Sequence, residues 1–323
     1  MGRAPMDLSL FFAGTAGSVP SARRGLPAIV LRRGGDRVLF DCGEGTQRQL
    51  VRSIGLADLT HVFLTHHHVD HWLGLPGMLK SFALRARDRP LAIVGPPGTR
   101  ALLERLRFVY GRLPYELEVF DLELDEEIGW EDWAVVPVAV RHRGPAYGYA
   151  IVEQPRPGRF DAELAQRLGV RPGPDFGRLQ AGETVAGVPP ERVIGPERPG
   201  RRIVISGDTA PCDTLRAAAL GADVLVHEAT FADDEADRAH ETLHSTARQA
   251  AEVAAECGVK LLALTHVSSR YGGRELRDEA REAFARAHVV RDFDEVVVPL
   301  PERGEPELRH WPQDRGPASR EPC

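Results

Sequence analysis

The stretch Thr65-His66-His67-His68-Val69-Asp70-His71 has the residue types and the spacing of a metal site. It follows the short apolar run Val62-Phe63-Leu64, which reads as a buried strand. In extended chain alternate side chains share a face, so His66 and His68 point together. Asp70 and His71 come on the next turn, placed for a second position. Imidazole nitrogens with carboxylate oxygens suit zinc, with manganese as the alternative. An accidental run of surface histidines is the bland explanation, and it would stand if the stretch were alone.

It is not alone. His142, Asp208 and His266 each fall just past an expected strand, at 135–140, 203–205 and 261–264. Singly, each reads more simply as a structural polar residue. Together they complete two metal shells. The two oxygens of Asp208 suit a bridge between dications about 3.5–4 Å apart. Structural zinc sites are closed by four protein ligands, whereas two metals sharing a carboxylate leave a position for water. That arrangement points to hydrolysis and counts against an inert RNA-binding module that uses metal only for structure.

The elements that would position these residues alternate along the chain. Strands are expected at 8–12, 28–31, 38–40 and 62–64, and helices at 44–54, 74–87 and 98–110. Further strands are expected at 135–140 and 147–152, then at 203–205, 224–226 and 261–264, each of these last three followed by a helix. Ala247, Ala250, Ala251 and Ala254 mark one helical face. Mixed strands followed by repeated βα units predict an α/β fold of sheets sandwiched between helices. One domain is expected over 1–312, interrupted at about 155–200 by a Pro- and Gly-rich arm read as an extended, flexible loop. Residues 313–323 are expected to be a disordered tail.

Composition sets the outer bounds. The chain has 323 residues, 42% hydrophobic and 27% charged, enough for a substantial core. It contains no long apolar run, so no membrane span is expected. The first residues lack a secretory apolar stretch, and Met6 disfavours myristoylation at Gly2. Cys42, Cys212, Cys257 and Cys323 form no CxxC pair, which fits a reducing cytoplasm. The net charge of −6 speaks against nucleic acid only globally. Arginines cluster at Arg23-Arg24, Arg32-Arg33, 85–89 and 198–202, while lysine occurs only at Lys80 and Lys260. A GC-rich codon bias accounts for the overall arginine excess; a local basic patch still suits phosphate.

The ordered set of ligand candidates resembles the metallo-β-lactamase superfamily, and within it the ribonuclease Z family. The supporting stretches are Leu39-Phe40-Asp41-Cys42-Gly43-Glu44-Gly45-Thr46-Gln47, Gly74-Leu75-Pro76-Gly77, His227-Glu228-Ala229-Thr230-Phe231, His244-Ser245-Thr246, and Leu264-Thr265-His266 with Ser268, Arg270 and Tyr271. The likeness runs over about residues 7 to 300. It implies an αβ/βα sandwich, two mixed sheets packed face to face with helices outside. It implies two zinc ions, one held by His66, His68, His142 and Asp208, the other by Asp70, His71, Asp208 and His266.

The resemblance further implies an endoribonuclease acting on precursor tRNA. Cleavage would fall on the 3′ side of the discriminator region and leave a 3′-hydroxyl, with a metal-activated hydroxide attacking phosphorus. Asp70 would orient the nucleophile and accept its proton, Glu228 would orient His244, and His244 would protonate the leaving oxygen. His227 would be structural. Arg24, Ser268 and Arg270 match positions that touch substrate phosphate. The arm would grip the tRNA elbow through Gly173-Pro174 or Gly195-Pro196, and the chain would act as a homodimer.

The sequence departs from the family at three places. Val69 stands where glycine is usual, which matters if the backbone there is left-handed. His67 is also unusual and is expected to point away from the metals. Gly25-Leu26-Pro27 replaces a more polar stretch. The competing reading is a hydrolase of the same fold acting on a small substrate.

Overall fold

Both sets of alternate positions in the first strand are apolar or small, so both of its faces must be covered. That strand, β1 (Leu8–Gly14), is buried along its whole length. Leu8, Leu10 and Phe12 join one hydrophobic cluster, and Phe11 and Ala13 another. The computed structural model describes residues 7–56 and 58–311. The first residues of the chain and the expected tail at 313–323 lie outside them.

After β1 come β2 (Ala28–Arg33), β3 (Asp36–Phe40), β4 (His61–Phe63), β5 (Leu91–Gly95) and β6 (Leu117–Asp121). The helices among them are α1 (Thr46–Arg52), α2 (Val69–Trp72), α3 (Leu75–Leu84) and α4 (Thr99–Tyr110). A second sheet is built from β7 (Ile128–Gly129), β8 (Trp133–Ala139), β9 (Tyr147–Glu153), β10 (Arg202–Ile205), β11 (Val224–Glu228), β12 (Leu261–Thr265) and β13 (Ala287–Val289). Within and after these strands lie α5 (Ala162–Arg167), α6 (Pro174–Gln180), α7 (Asp213–Ala219), α8 (Ala236–Thr242), α9 (Ala247–Glu256) and α10 (Arg274–Ala283). Two last strands, β14 (Glu295–Val297) and β15 (Glu307–Arg309), return to the first sheet beside β1.

Both sheets are mixed. β1, β2 and β3 are antiparallel, with Leu10 opposite Leu31 and Val30 opposite Leu39, and β3 to β6 are parallel. In the second sheet β9 runs antiparallel to β10, and β10 to β13 are parallel. Phe12, Leu31, Phe40 and Phe63 pack with Trp133, Tyr149, Ile205 and Val226 in the layer between the sheets. The alternate residues Phe11, Val30, Leu39 and Val62 meet Leu50, Met78, Leu79 and Leu103 from α1, α3 and α4. Val204, Leu225 and Leu262 meet Leu215, Ala250, Ala254 and Leu276 from α7, α9 and α10. The result is the metallo-β-lactamase fold: two mixed sheets face to face with helices outside. Among the described residues no helix is long and apolar enough to cross a membrane.

Glu153–Arg201 forms a compact unit of its own. Its two ends run side by side, through bridges between Arg156 and Arg198 and between Phe160 and Ile194. The ends approach so closely that a Cβ on Gly158 would stand 1.8 Å from the carbonyl oxygen of Gly195. At the base, Arg201 and Glu153 make a buried two-pronged pair at 2.6 and 2.7 Å. Beyond the stalk, Asp161 caps α5 by accepting the Leu164 amide at 2.8 Å. Ala165, Val170, Leu179, Val185 and Val193 form a small core. The expected extended loop is therefore a stalk carrying two short helices.

Candidate metal centre and active site

Strands of both sheets end at the site, and the loops beyond those ends carry the polar residues. Asp41 follows β3, His66 and His68 follow β4, His142 follows β8, Asp208 follows β10, and His266 follows β12. Glu228 is the last residue of β11. Bridges tie the loops together, His66 to Ala146 and Arg141 to Ala210, and the Tyr147 amide donates to the Thr65 carbonyl at 2.8 Å.

The seven expected ligands converge in two groups. His66, His68, His142 and Asp208 place one ligand atom each within 4.8 Å of one another, as do Asp70, His71 and His266. In the first group His66 Nε2 lies 2.9 Å from His68 Nδ1, which lies 3.2 Å from His142 Nε2. In the second, His71 Nε2 and His266 Nε2 are 3.3 Å apart, and they lie 3.6 and 3.5 Å from Asp70 Oδ2. One oxygen, Oδ2 of Asp208, is 3.7 Å from His66 Nε2, 3.4 Å from His71 Nε2 and 3.3 Å from His266 Nε2. A tetrahedral ion with ligands at about 2.0–2.1 Å holds them roughly 3.3–3.4 Å apart. The donor set therefore fits divalent metal, with Asp208 between the two groups.

Protonation points the same way. Burial, followed by the nearby His71, holds His66 well below the usual imidazole range. Burial also lowers His68 and His142, so all three rings offer lone pairs at neutral pH. Burial alone would raise Asp208 and Asp70, but the surrounding histidines outweigh it and keep both ionised. His71 goes the other way: burial opposes its charge, yet Asp208 and Asp41 raise it well above the usual range. Two carboxylates facing one ring favour positive charge at that point.

Each of four rings is fixed from behind. His71 Nδ1 meets Asp41 Oδ2 at 2.8 Å, His142 Nδ1 meets the Leu243 carbonyl at 2.9 Å, and His266 Nδ1 meets Thr230 Oγ1 at 2.9 Å. His66 Nδ1 meets Thr65 Oγ1 at 3.0 Å. Such contacts set the tautomer and aim the other nitrogen. Two close approaches add to this. A Cβ on Gly17 would stand 2.5 Å from His266 Nδ1, and Gly207, at φ 61°, makes the left-handed turn that delivers Asp208.

Glu228 and His244 sit together beside Asp208. Glu228 Oε1 lies 2.7 Å from His244 Nδ1 and accepts the Thr209 amide at 3.0 Å, while Oε2 accepts the amide and hydroxyl of Thr230. His244 Nδ1 is 3.9 Å from Asp208 Oδ2. Burial opposes charge on His244, but Glu228 raises it to about 9. His227 is fully buried and bonds the Glu228 carbonyl at 2.8 Å, outside this constellation.

The remaining expectations divide. His67 turns aside to Thr99 Oγ1 at 2.9 Å. Val69 opens α2 in right-handed geometry, so glycine is not required there. Arg24 donates to Thr15 Oγ1 at 2.7 Å and to the Val290 carbonyl at 2.6 Å, contacts within the fold. Arg270 pairs with Glu235 at 3.1 Å and lies over the ring of Phe231, whose centroid is 6.0 Å from that of His244; Ser268 Oγ accepts the Arg270 amide at 3.5 Å. Gly173 and Pro174 are exposed at the start of α6, whereas Gly195 is in the stalk. The sequence reading gave no role to Asp41, Thr65, Thr209 or Thr230. Asp41 carried a usable signal, since it follows a strand as the ligands do.

Residues 25–266 match the family described as the metallo-beta-lactamase superfamily. A ribonuclease Z from Gemmatimonas aurantiaca is 46% identical over 92% of this chain and 98% of its own length. One from Methanosarcina acetivorans is 42% identical over 90% and 98%. Among solved structures, the short form of human tRNase Z is 29% identical with a TM-score of 0.65, covering 91% of this chain and 99% of that one.

Proposed function

The chain belongs to the metallo-β-lactamase superfamily and, within it, to the ribonuclease Z family, and from that premise we propose that it cleaves precursor tRNA. It is a metal-dependent endoribonuclease. The proposed cut falls on the 3′ side of the discriminator region and leaves a 3′-hydroxyl. The observation that carries this reading is the pair of buried Glu228 and partly buried His244, 2.7 Å apart, beside Asp208, whose Oδ2 lies 3.7 Å from His66 Nε2 and 3.4 and 3.3 Å from His71 and His266 Nε2. A shared carboxylate alone suits many hydrolyses. A charged imidazole next to it suits a poor alkoxide leaving group, which a ribose 3′ oxygen is.

His66, His68, His142 and Asp208 would hold one divalent ion, and Asp70, His71, Asp208 and His266 a second; the nitrogen-rich donor set favours zinc over manganese. When bound, the ions supply Lewis acidity that lowers the pKa of water and neutralises charge on phosphate oxygens. Asp70, whose Oδ2 also accepts the Ser18 amide at 2.9 Å, orients the attacking water and takes its proton. Glu228 engages Nδ1 of His244, so Nε2 is the nitrogen that gives a proton to the leaving oxygen.

The exposed Gly173-Pro174 corner is the better placed of the two Gly-Pro sequences to touch the tRNA elbow, because Gly195 is committed to the stalk. The proposal takes the active form to be a cytoplasmic homodimer. Cys42, Cys212 and Cys257 are free thiols, as a reducing compartment favours.

The test is incubation of purified protein with a 3′-extended tRNA precursor and mapping of both product ends. Cleavage next to the discriminator with a 3′-hydroxyl is expected. Hydrolysis of small diesters with an untouched precursor would replace this reading with that of a small-substrate hydrolase.

A further inference from the structure

A basic cavity outside the metal centre has no part in the chemistry above. It lies between α4 and β6, has a volume of about 430 Å3, and is walled by Arg100, Glu104, Arg107, Tyr110, Arg112 and Tyr115. β6 is the last strand of its sheet, so its outer edge is open. The phenols serve the fold: Tyr110 donates to the Leu103 carbonyl at 3.1 Å and Tyr115 to the Leu79 carbonyl at 2.9 Å. The three arginines are exposed, and among the described residues none of their guanidinium groups is paired with a carboxylate. Lys80 reaches toward the same place, its Nζ 3.8 Å from the Cβ position of Gly111. Glu104 is the acidic side chain on the wall, and Asp121, the last residue of β6, accepts the Arg100 amide at 2.8 Å. Unpaired guanidinium forks at a cavity mouth match phosphate oxygens.

The helix that walls the cavity begins next to the loop of the metal centre. Thr99 opens α4, and its hydroxyl meets His67, which stands between the ligands His66 and His68. Arg100 is the next residue. Arg107 comes two helical turns later on the same face, about 10 Å further along the axis, and Arg112 lies just past the helix end. His244 stands on a loop of the second sheet, whereas α4 covers the first. The tRNA body, which carries the leaving 3′ oxygen, belongs on the His244 side. On the precursor-tRNA reading, the other ester substituent of the scissile phosphate would then lie toward the first sheet, which α4 covers. A cavity of this size suits a small length of single strand rather than a duplex.

We propose that the cavity between α4 and β6 binds the single-stranded RNA 3′ of the scissile phosphate, held by its phosphates on Arg100, Arg107 and Arg112. This rests on the precursor-tRNA reading. The test compares two precursors, one with a minimal 3′ trailer and one with a long one, on the unaltered protein and on Arg100→Ala/Arg107→Ala/Arg112→Ala. KM for the long-trailer precursor is expected to rise about tenfold or more in the variant, while the minimal-trailer precursor is cut as before. The salt dependence of log KM for the long trailer should weaken by up to about 2 in slope, at about 0.7 per phosphate contact on a single strand. Equal losses on both precursors, or no loss on either, would overturn the proposal; a peptide added to the open edge of β6 predicts the second result. An unaltered protein that cuts neither precursor would instead overturn the parent reading.

Discussion

Asp41 Oδ2 lies 2.8 Å from Nδ1 of His71, while Nε2 of the same ring faces Asp208 at 3.4 Å. The other oxygen of Asp41 accepts the Thr65 amide at 2.8 Å, one residue before His66. One carboxylate therefore aims a ligand candidate of the second group and anchors the loop that begins the first. Asp41 adopts φ 57°, a left-handed backbone that asparagine tolerates well. Asp41→Asn should keep the fold and weaken metal binding by roughly 10–100-fold. Competition with a chromophoric chelator measures this. Unchanged affinity would mean that Asp41 only anchors the loop.

Stability of the metal-free chain should depend on pH through His244. Burial disfavours its charge, and Glu228 more than compensates, raising it from 6.5 to about 9. A raised folded value means stability fully present below pH 6.5 and lost as pH rises through about 9. His71, also raised, acts in the same direction. Thermal unfolding of the chelator-treated protein should show Tm falling between pH 6.5 and 9, with a shallower fall in His244→Gln. Identical slopes in the two proteins would remove His244 as the cause.

Metal loading and catalysis should fail together at the shared ligand. Asp208→Ala removes the oxygen common to both groups, so elemental analysis should drop from about two ions per chain toward none. His68→Ala touches one group only and should leave about one ion. Precursor cleavage is expected to vanish in both while far-ultraviolet circular dichroism persists, because the ligands sit past strand ends and outside the hydrophobic clusters. A reproducible single ion in the unaltered protein, unchanged by added zinc, would refute the two-ion reading.

His244→Ala should separate substrates by leaving group. A ribose 3′ alkoxide needs a proton and a nitrophenolate hardly does. Loss of a positioned general acid costs about 10²–10⁴-fold where protonation limits the rate. Turnover of precursor tRNA should fall in that range, and turnover of bis-p-nitrophenyl phosphate should change little. Comparable losses on both would make His244 a structural residue.

The sequence carried the centre of the molecule better than its margins. The ligand candidates were legible because most of them fall just past a short apolar run, as His266 follows Leu261–Thr265. The helices packed on the sheets were legible from faces such as Ala247, Ala250, Ala251 and Ala254, all fully buried in α9. Leu91–Gly95 was missed although every residue in it is buried, because five apolar residues carry no period of their own. β6 was missed because its sequence, Leu-Glu-Val-Phe-Asp, is half exposed at the end of a sheet. Partners such as Thr230, whose hydroxyl donates to Glu228, and Thr209, whose backbone amide does, are invisible in sequence because they meet it only once the loops have folded together.

The arm allows the sharpest division between binding and chemistry. Glu153–Arg201 is compact in itself, with its own apolar core and a stalk closed by the buried Glu153–Arg201 pair. Removing either charge of that pair would strand the other without water, a cost of roughly 3–5 kcal/mol, so a deletion should spare both. Replacing residues 159–198 by a short Gly/Ser linker keeps Glu153, Arg201 and Gly158 in place. None of the metal-ligand candidates falls inside the deleted stretch. Metal content and hydrolysis of a small diester should therefore survive. Contacts remote from the reacting phosphate contribute to binding a large substrate, and losing them raises KM without touching the reacting groups. KM for precursor tRNA should rise sharply, and Gly173→Ala/Pro174→Ala in the intact chain should reproduce part of that rise. Unchanged precursor kinetics in the deletion would leave the arm without a role in binding. Loss of small-diester hydrolysis as well would make the segment a support of the catalytic domain.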